Sequence, residues 1–239
     1  MKMIISPAKT FHKELIHSQQ EPYFLRNAKK LMKALKHVDK DQLKRSMKLS
    51  DALLNEVTSF MKQFDKASFQ AIRAYYGQAF KKLDVNKLSD DEINYMNEHL
   101  LILSGLYGIL KPDDGISLYR LEMQDQTIQN LYHYWKPKIN KYFKTFLKDE
   151  LIIDLTSEEY QKVLPESSNI IHIDFLEIKD HQEKRISMTM KSLRGLFARK
   201  VIQDHIEDLD RLKTIEIDGF LYDPVRSDEK HMIYVKEVN

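Results

Sequence analysis

"LSGLYGILKPDDGISLYRLEM", residues 103–123, holds three of the six glycines of a 239-residue chain. It overlaps the apolar run "LLILSG" (100–105), which reads as a buried strand. Glycine adopts backbone angles closed to other residues and lets another backbone or a ligand come close. Gly105, Gly108 and Gly115 within eleven residues therefore mark either a demanding turn or a binding surface made of backbone. Ahead of the stretch, "SDDEINYMNEHL" has a cap-like Ser89 and an acidic first turn, so it reads as a helix. Behind it, "NLYHYWKPKINKYFKTFLKDE" reads as a helix that Pro137 ends or kinks.

Further out, "MKMIIS" reads as a first strand stopped by Pro7. "PYFLRNAKKLMKALKHV" is a helix by the spacing of Leu25, Ala28, Leu31, Met32 and Leu35, and "LSDALLNEVTSFMKQF" is a second helix capped by Ser50. "FQAIRAYYG", "LIIDL", "NIIHIDFLEI", "KRISMTM", "GFLYDPV" and "HMIYVKEV" are expected as strands, with helices over "TSEEYQKV" and "SLRGLFARKVIQDHI". Strands and helices mix without strict alternation, which predicts an α+β fold. It is expected as a single mixed domain over residues 1–239, a central sheet with helices around it, since no repeat, low-complexity tract or linker divides the chain.

With 42% hydrophobic and 31% charged residues, the composition is that of a folded, water-soluble protein. The chain has no cysteine, which excludes disulfides, cysteine-held zinc, iron–sulfur clusters and thiol catalysis. The histidines lack ligand spacing, and neither a metal nor a cofactor is expected. No window approaches the ~20 apolar residues of a membrane span, and the N-terminus has too short an apolar run for a signal peptide, so a cytoplasmic location with no membrane partner is expected. Net charge is +2, but residues 1–83 carry 17 Lys or Arg against 7 Asp or Glu, whereas residues 84–239 carry 21 against 29. That split points to a polyanionic partner for the first third, unless the two parts simply neutralise each other.

Four polar blocks sit at predicted strand ends or helix starts, where sites commonly lie. "ISPAKT" offers Ser6, Lys9 and Thr10, a lysine with hydroxyls that suits an oxyanion, although it is no Walker loop. "SLYRLEM" offers Tyr119, Arg120 and Glu122; Arg120 pairs either with Glu122 or, bidentately, with a phosphate or carboxylate. "DLTSEEY" offers Ser157, Glu158 and Glu159, a helix cap or a general acid–base group. "MKSLRGLFARK" sets Lys191 and Arg194 one helical turn apart, a phosphate clamp or a solvated helix start. The glycines of "LSGLYGIL" loosely match a helix-hairpin-helix element, whose glycines present backbone N–H groups to a phosphate.

In this order, "ISPAKT", "LSGLYGILKP" with "YRLEM", "LTSEEY", "KSLRGLFAR" and "GFLYD" resemble the YaaA family of bacterial peroxide-stress-resistance proteins, from the first residues to about Asp223. The resemblance implies a cytosolic protein that limits damage when peroxide meets intracellular iron. It also implies one α+β domain with a helix-hairpin-helix-like element and a positively charged cleft that binds nucleic acid. The implied binding residues are Ser6, Lys9, Thr10, Gly105, Gly108, Arg120, Ser157, Lys191 and Arg194, with Lys9, Tyr119 and Glu159 as candidate catalytic groups. Two function classes stand side by side. One is a monomeric protein that binds DNA, in duplex form and with weak sequence preference. The other is an enzyme that acts on a nucleobase, a nucleotide-like small molecule or modified nucleic acid, with Glu159 as acid or base in N-glycosidic cleavage.

Overall fold

A computed structural model describes residues 1–167, 169–180, 182–184 and 187–238. In chain order the elements are β1 (Lys2–Ile5), α1 (Leu25–Lys36), α2 (Lys40–Ser46), α3 (Asp51–Gln63), β2 (Phe69–Gln70), α4 (Ala71–Ala74), α5 (Gln78–Leu83), α6 (Asp90–His99), β3 (Leu100–Ser104), β4 (Gly108–Leu110) and β5 (Gly115–Ile116). They continue with α7 (Leu131–Phe146), β6 (Ile152–Leu155), α8 (Glu158–Gln161), β7 (Ile170–Lys179), β8 (Gln182–Lys184), α9 (Ser187–Gln203), α10 (Leu209–Lys213), β9 (Leu221–Tyr222) and β10 (His231–Val238). The fold is mixed α/β, with helices around a central sheet ordered β4-β3-β1-β6-β7-β10-β9, and β8 paired to the far half of β7.

The inner strands β3, β1, β6, β7 and β10 are parallel, and β4, β8 and β9 join antiparallel. After β1 the chain fills the β3 side of the sheet, then crosses to lay β6 on the other side of β1. The junction of β1 and β6 is therefore a topological switch point, where a crevice opens beyond the carboxyl ends of the strands. β1 and β6 are apolar on both faces (Met3, Ile4 and Ile5; Ile152, Ile153 and Leu155), as strands covered on both sides must be. One cluster of buried apolar side chains runs from Met3 to Tyr234.

Helix boundaries follow their caps. Ser89 and Glu92 form a reciprocal capping box on α6, Ser50 accepts from Leu53 N–H at α3, and Asn130 accepts from His133 N–H at α7. Pro137 lies inside α7 without ending it. Its neighbours Trp135, Ile139, Tyr142 and Phe143 are buried, and that packing outweighs the lost backbone hydrogen bond.

Three local expectations are corrected. "FQAIRAYYG" forms only the two-residue β2 before turning helical at Ala71, because Ala71, Ile72 and Ala74 are buried together at helical spacing. In "KRISMTM", α9 already starts at Ser187, while Arg185 and Ile186 lie outside the described residues. "GFLYDPV" contributes just Leu221–Tyr222.

The glycine-rich stretch is also not a helix-hairpin-helix element. Ser104 pairs with Gly108 across a tight β3–β4 hairpin, and the turn is buried, Leu106 to 0% and Tyr107 to 1% exposure. Gly108 has φ +72°, and a Cβ there would lie 2.5 Å from the Trp135 ring; one on Gly105 would lie 2.4 Å from the Leu121 carbonyl oxygen. Trp135 Nε1 donates to the Gly105 carbonyl at 2.8 Å. These glycines therefore serve close packing, with no open backbone surface for a phosphate. Among the described residues, no helix is long and apolar enough to cross a membrane.

Candidate functional site

Pro7 cannot donate to a ladder, and β1 stops two residues before it. The chain then runs as the loop 6–10, held against the segment before α5 by Tyr76 N–H to the Thr10 carbonyl (2.8 Å) and by Thr10 Oγ1 to the Tyr76 carbonyl. Ala8 packs on Gly77, where a Cβ would stand 2.9 Å from the Ala8 Cβ. Because Ile5 is in register with Leu155, Ser6 meets Ser157 although 151 residues separate them. Ser157 N–H donates to Ser6 Oγ at 2.9 Å, tying the two strand ends together.

Beyond these strand ends lies a cleft of about 280 Å³. Its floor is apolar, with Ile5, Phe80, Leu121 and Leu155, and its polar groups come from all four sequence blocks. Ser6, Lys9, Thr10, Tyr119, Arg120, Ser157, Glu159, Lys191 and Arg194 all line it. Gly105 and Gly108 do not; they sit in the buried hairpin behind Tyr119. None of the basic residues of α1 lines the cleft either.

Glu122 organises the mouth. Its carboxylate takes Lys9 Nζ at 2.5 Å and Arg120 Nη2 at 3.7 Å. Glu159 Oε1 accepts Gln124 N–H at 3.0 Å. Burial, then the charge of Glu122, pushes the Glu159 carboxyl above the usual carboxylate range, while the Gln124 N–H and Lys9 pull it down. A carboxyl so placed holds its proton more readily than one in water and can return it to a ligand.

Tyr119, a candidate catalytic group, lines the cleft with its hydroxyl engaged in buried hydrogen bonds. Its hydroxyl lies 2.6 Å from Ser104 Oγ and 2.7 Å from the Tyr75 hydroxyl. Ser104 Oγ already accepts from the N–H groups of Leu106 and Tyr107, so its own proton goes to Tyr119. Burial pushes the Tyr119 phenol up to about 12, which leaves it neutral at physiological pH. Tyr119 is thus the middle of a buried hydroxyl chain, between Ser104 and Tyr75, that braces the hairpin to the cleft.

α9 carries Lys191 and Arg194 to the opposite wall. Gly195 lets it approach α5 so closely that a Cβ would stand 2.0 Å from the Ala79 carbonyl oxygen. Lys191 is exposed; Arg194 is half-buried and its Nε has no hydrogen-bond partner among the described residues. Burial lowers the Arg194 pKa, opposed by the charges of Asp154, Asp174 and Glu158. The sequence reading missed Asp154, although a lone acid in "LIIDL" was its signal. Fully buried, Asp154 accepts from Thr156 N–H at 2.8 Å and meets His172 Nδ1 at 2.6 Å. Among the described residues, no group of three or more His, Asp or Glu side chains is placed to hold a metal ion.

A mostly parallel sheet with a polar cleft at its switch point makes this a mixed α/β protein with a candidate site where such folds commonly carry one. Residues 1–226 match the family model described as "Peroxide stress protein YaaA". The chain is 37% identical to a UPF0246 protein of Finegoldia magna over 248 residues, which span 100% of this chain and 99% of that protein. It is 34% identical to a UPF0246 protein of Clostridium beijerinckii (100% and 99% covered) and 33% identical to one of Fusobacterium nucleatum (99% of each). The chain belongs to the YaaA family of peroxide stress proteins.

Proposed function

We propose that this peroxide stress protein works by binding DNA, with a single phosphate-bearing nucleotide unit seated in the cleft. The carrying observation is the convergence of Lys9, Arg120, Lys191 and Arg194, drawn from three separate blocks, on one crevice at the β1–β6 switch point. The volume is that of a small-molecule site, near the lower end of the ~300–1,000 Å³ range, so a duplex stays outside while one nucleotide enters. Phosphate contacts of this kind give affinity with little sequence preference.

Glu159 favours a second reading, in which the same pocket is enzymatic. A carboxyl with a raised pKa beside a bound nucleotide suits proton donation to a departing base in N-glycosidic cleavage. Incubation with duplex, single-stranded and modified DNA, with a binding titration beside mass spectrometry for released bases, separates the two. Tight binding without released base supports the first reading; released base that is lost in Glu159→Gln supports the second.

Protection from iron-driven peroxide damage is part of the first reading. Plasmid treated with ferrous iron and peroxide is expected to be nicked less when the protein is bound. The variant carrying Lys191→Ala and Arg194→Ala should give no protection.

A further inference from the structure

α1 and α7 pack side by side, Asn27 Nδ2 donating to the Tyr134 hydroxyl at 3.0 Å and Phe24 meeting Trp135 edge to face. Together the two helices carry nine Lys or Arg and no Asp or Glu. Lys29 is paired with Asp65, but Arg26, Lys30, Lys138 and Lys141 form no ion pair among the described residues. Arg26 and Lys30 lie opposite the buried stripe of Ala28, Leu31, Met32 and Leu35, and Lys138 and Lys141 flank that of Trp135, Ile139, Tyr142 and Phe143; Arg26, Lys138 and Lys141 border one groove, and the charge of Lys30 is felt at Lys138. The Lys138 ammonium is pushed below the usual lysine value by partial burial and by the charge of Lys30. Like charges held this close oppose folding unless an anion comes between them.

Aromatic rings stand exposed at the same place. Tyr23 is 58% and Phe146 is 52% exposed, and Tyr23 stacks edge-on to Phe24, Tyr142 and Phe146. A groove of about 400 Å³ runs between the helices, lined by Tyr23, Arg26, Asn27, Lys138 and Lys141, with Glu21 its one acidic residue. From there α7 leads back toward the cleft, since Tyr132 in its first turn feels the charge of Glu159.

We propose that the seam of α1 and α7 is a binding track for single-stranded nucleic acid, with phosphates on Arg26, Lys30, Lys138 and Lys141 and an unpaired base stacked on Tyr23. The chemistry is that of general single-strand binders, a cationic groove interleaved with accessible aromatic rings. A duplex offers no free base face to Tyr23. The inference rests on the charge and exposure of these two helices and stands independently of the cleft.

The test is fluorescence anisotropy with a labelled 20-residue oligothymidylate and with its duplex, for the full chain and three variants. Four phosphate contacts on a single strand give a log K against log salt slope of about −2.8, so tripling the salt weakens binding about 20-fold. Tyr23→Ala should weaken single-strand binding about tenfold and leave the slope unchanged. Arg26→Glu with Lys138→Glu should flatten the slope by about 1.4 or more. Lys191→Ala with Arg194→Ala reads the cleft separately: whatever single-strand affinity it removes, the binding that remains should keep its dependence on Tyr23, Arg26 and Lys138. Tyr23 and Arg26 are exposed and Lys138 only half-buried, so circular dichroism is expected to match the parent. The proposal is overturned if Tyr23→Ala and the charge reversal leave binding intact, if the cleft variant alone abolishes it, or if the duplex binds as tightly as the single strand. It is equally overturned if the charge reversal releases the protein from anionic phospholipid vesicles while oligothymidylate binding is unaffected.

Discussion

Burial makes Asp114 a pH-dependent liability. It is 6% exposed, accepts from the Lys111 N–H at 2.8 Å, and is pushed from an ordinary 3.8 up to about 7, chiefly by loss of solvation. A folded-state pKa above the unfolded one means that the folded chain holds the proton more tightly. The resulting stability is complete below about pH 4 and is lost as pH rises through 7, with a span on the order of 4 kcal/mol. Asp114→Asn keeps the acceptor without the charge. Denaturant unfolding at pH 5 and pH 8 should show the parent losing more stability than the variant; parallel profiles would refute the assignment. Gly108 is a second single-residue determinant. Gly108→Ala places a Cβ against Trp135 at a positive φ and should cost about 2–4 kcal/mol in the same assay.

The pairing of α5 with α9 decides where the cationic wall of the cleft stands. Gly195 is the contact point, with the Ala79 backbone where a methyl would go. Gly195→Ala should push α9 outward, cost about 1–3 kcal/mol, and move Lys191 and Arg194 with it. Weaker binding of a phosphate-bearing ligand is then expected even though no ligand-facing side chain has changed. Unaltered affinity together with unaltered stability would show that α9 does not rest on this contact. The β3–β4 hairpin acts at the same scale from the other side: Ser104 and Tyr119 join it to the cleft wall through hydroxyls alone.

The charge split of the chain is expressed as two separate surfaces. Lys9 reaches Glu122 in the cleft, and Lys29 reaches Asp65, but the other lysines on α1 face outward with no ion pair among the described residues. Mutual neutralisation of the two halves therefore accounts for only part of the asymmetry. If a single strand is held through the four cations of the cleft, tripling the salt should weaken it about 20-fold. The Lys191→Ala, Arg194→Ala variant should lower the slope by about 1.4, whereas charge reversal at Lys29 and Lys33, which lie off the cleft, should act only through the outer surface. Salt-independent affinity would rule out a phosphate-dominated interface.

Periodicity alone determined the helices over α1, α3, α6 and α7 and the apolar strands β1, β3, β6, β7 and β10, because burial of one face, or of both, writes itself into residue spacing. Polar blocks at strand ends likewise marked Ser6, Lys9, Arg120, Ser157, Glu159, Lys191 and Arg194. Which blocks meet was decided only by the sheet: the parallel register of Ile5 with Leu155 joins positions some 150 residues apart, a pairing that no local pattern encodes. The glycines show the same limit. Their freedom was legible, but whether it served a ligand or a neighbouring ring depended on Trp135, 27 residues beyond Gly108, folding back onto the turn. Tyr119 owes its raised pKa to burial by distant segments, and solvation is a property of the packed molecule rather than of the chain.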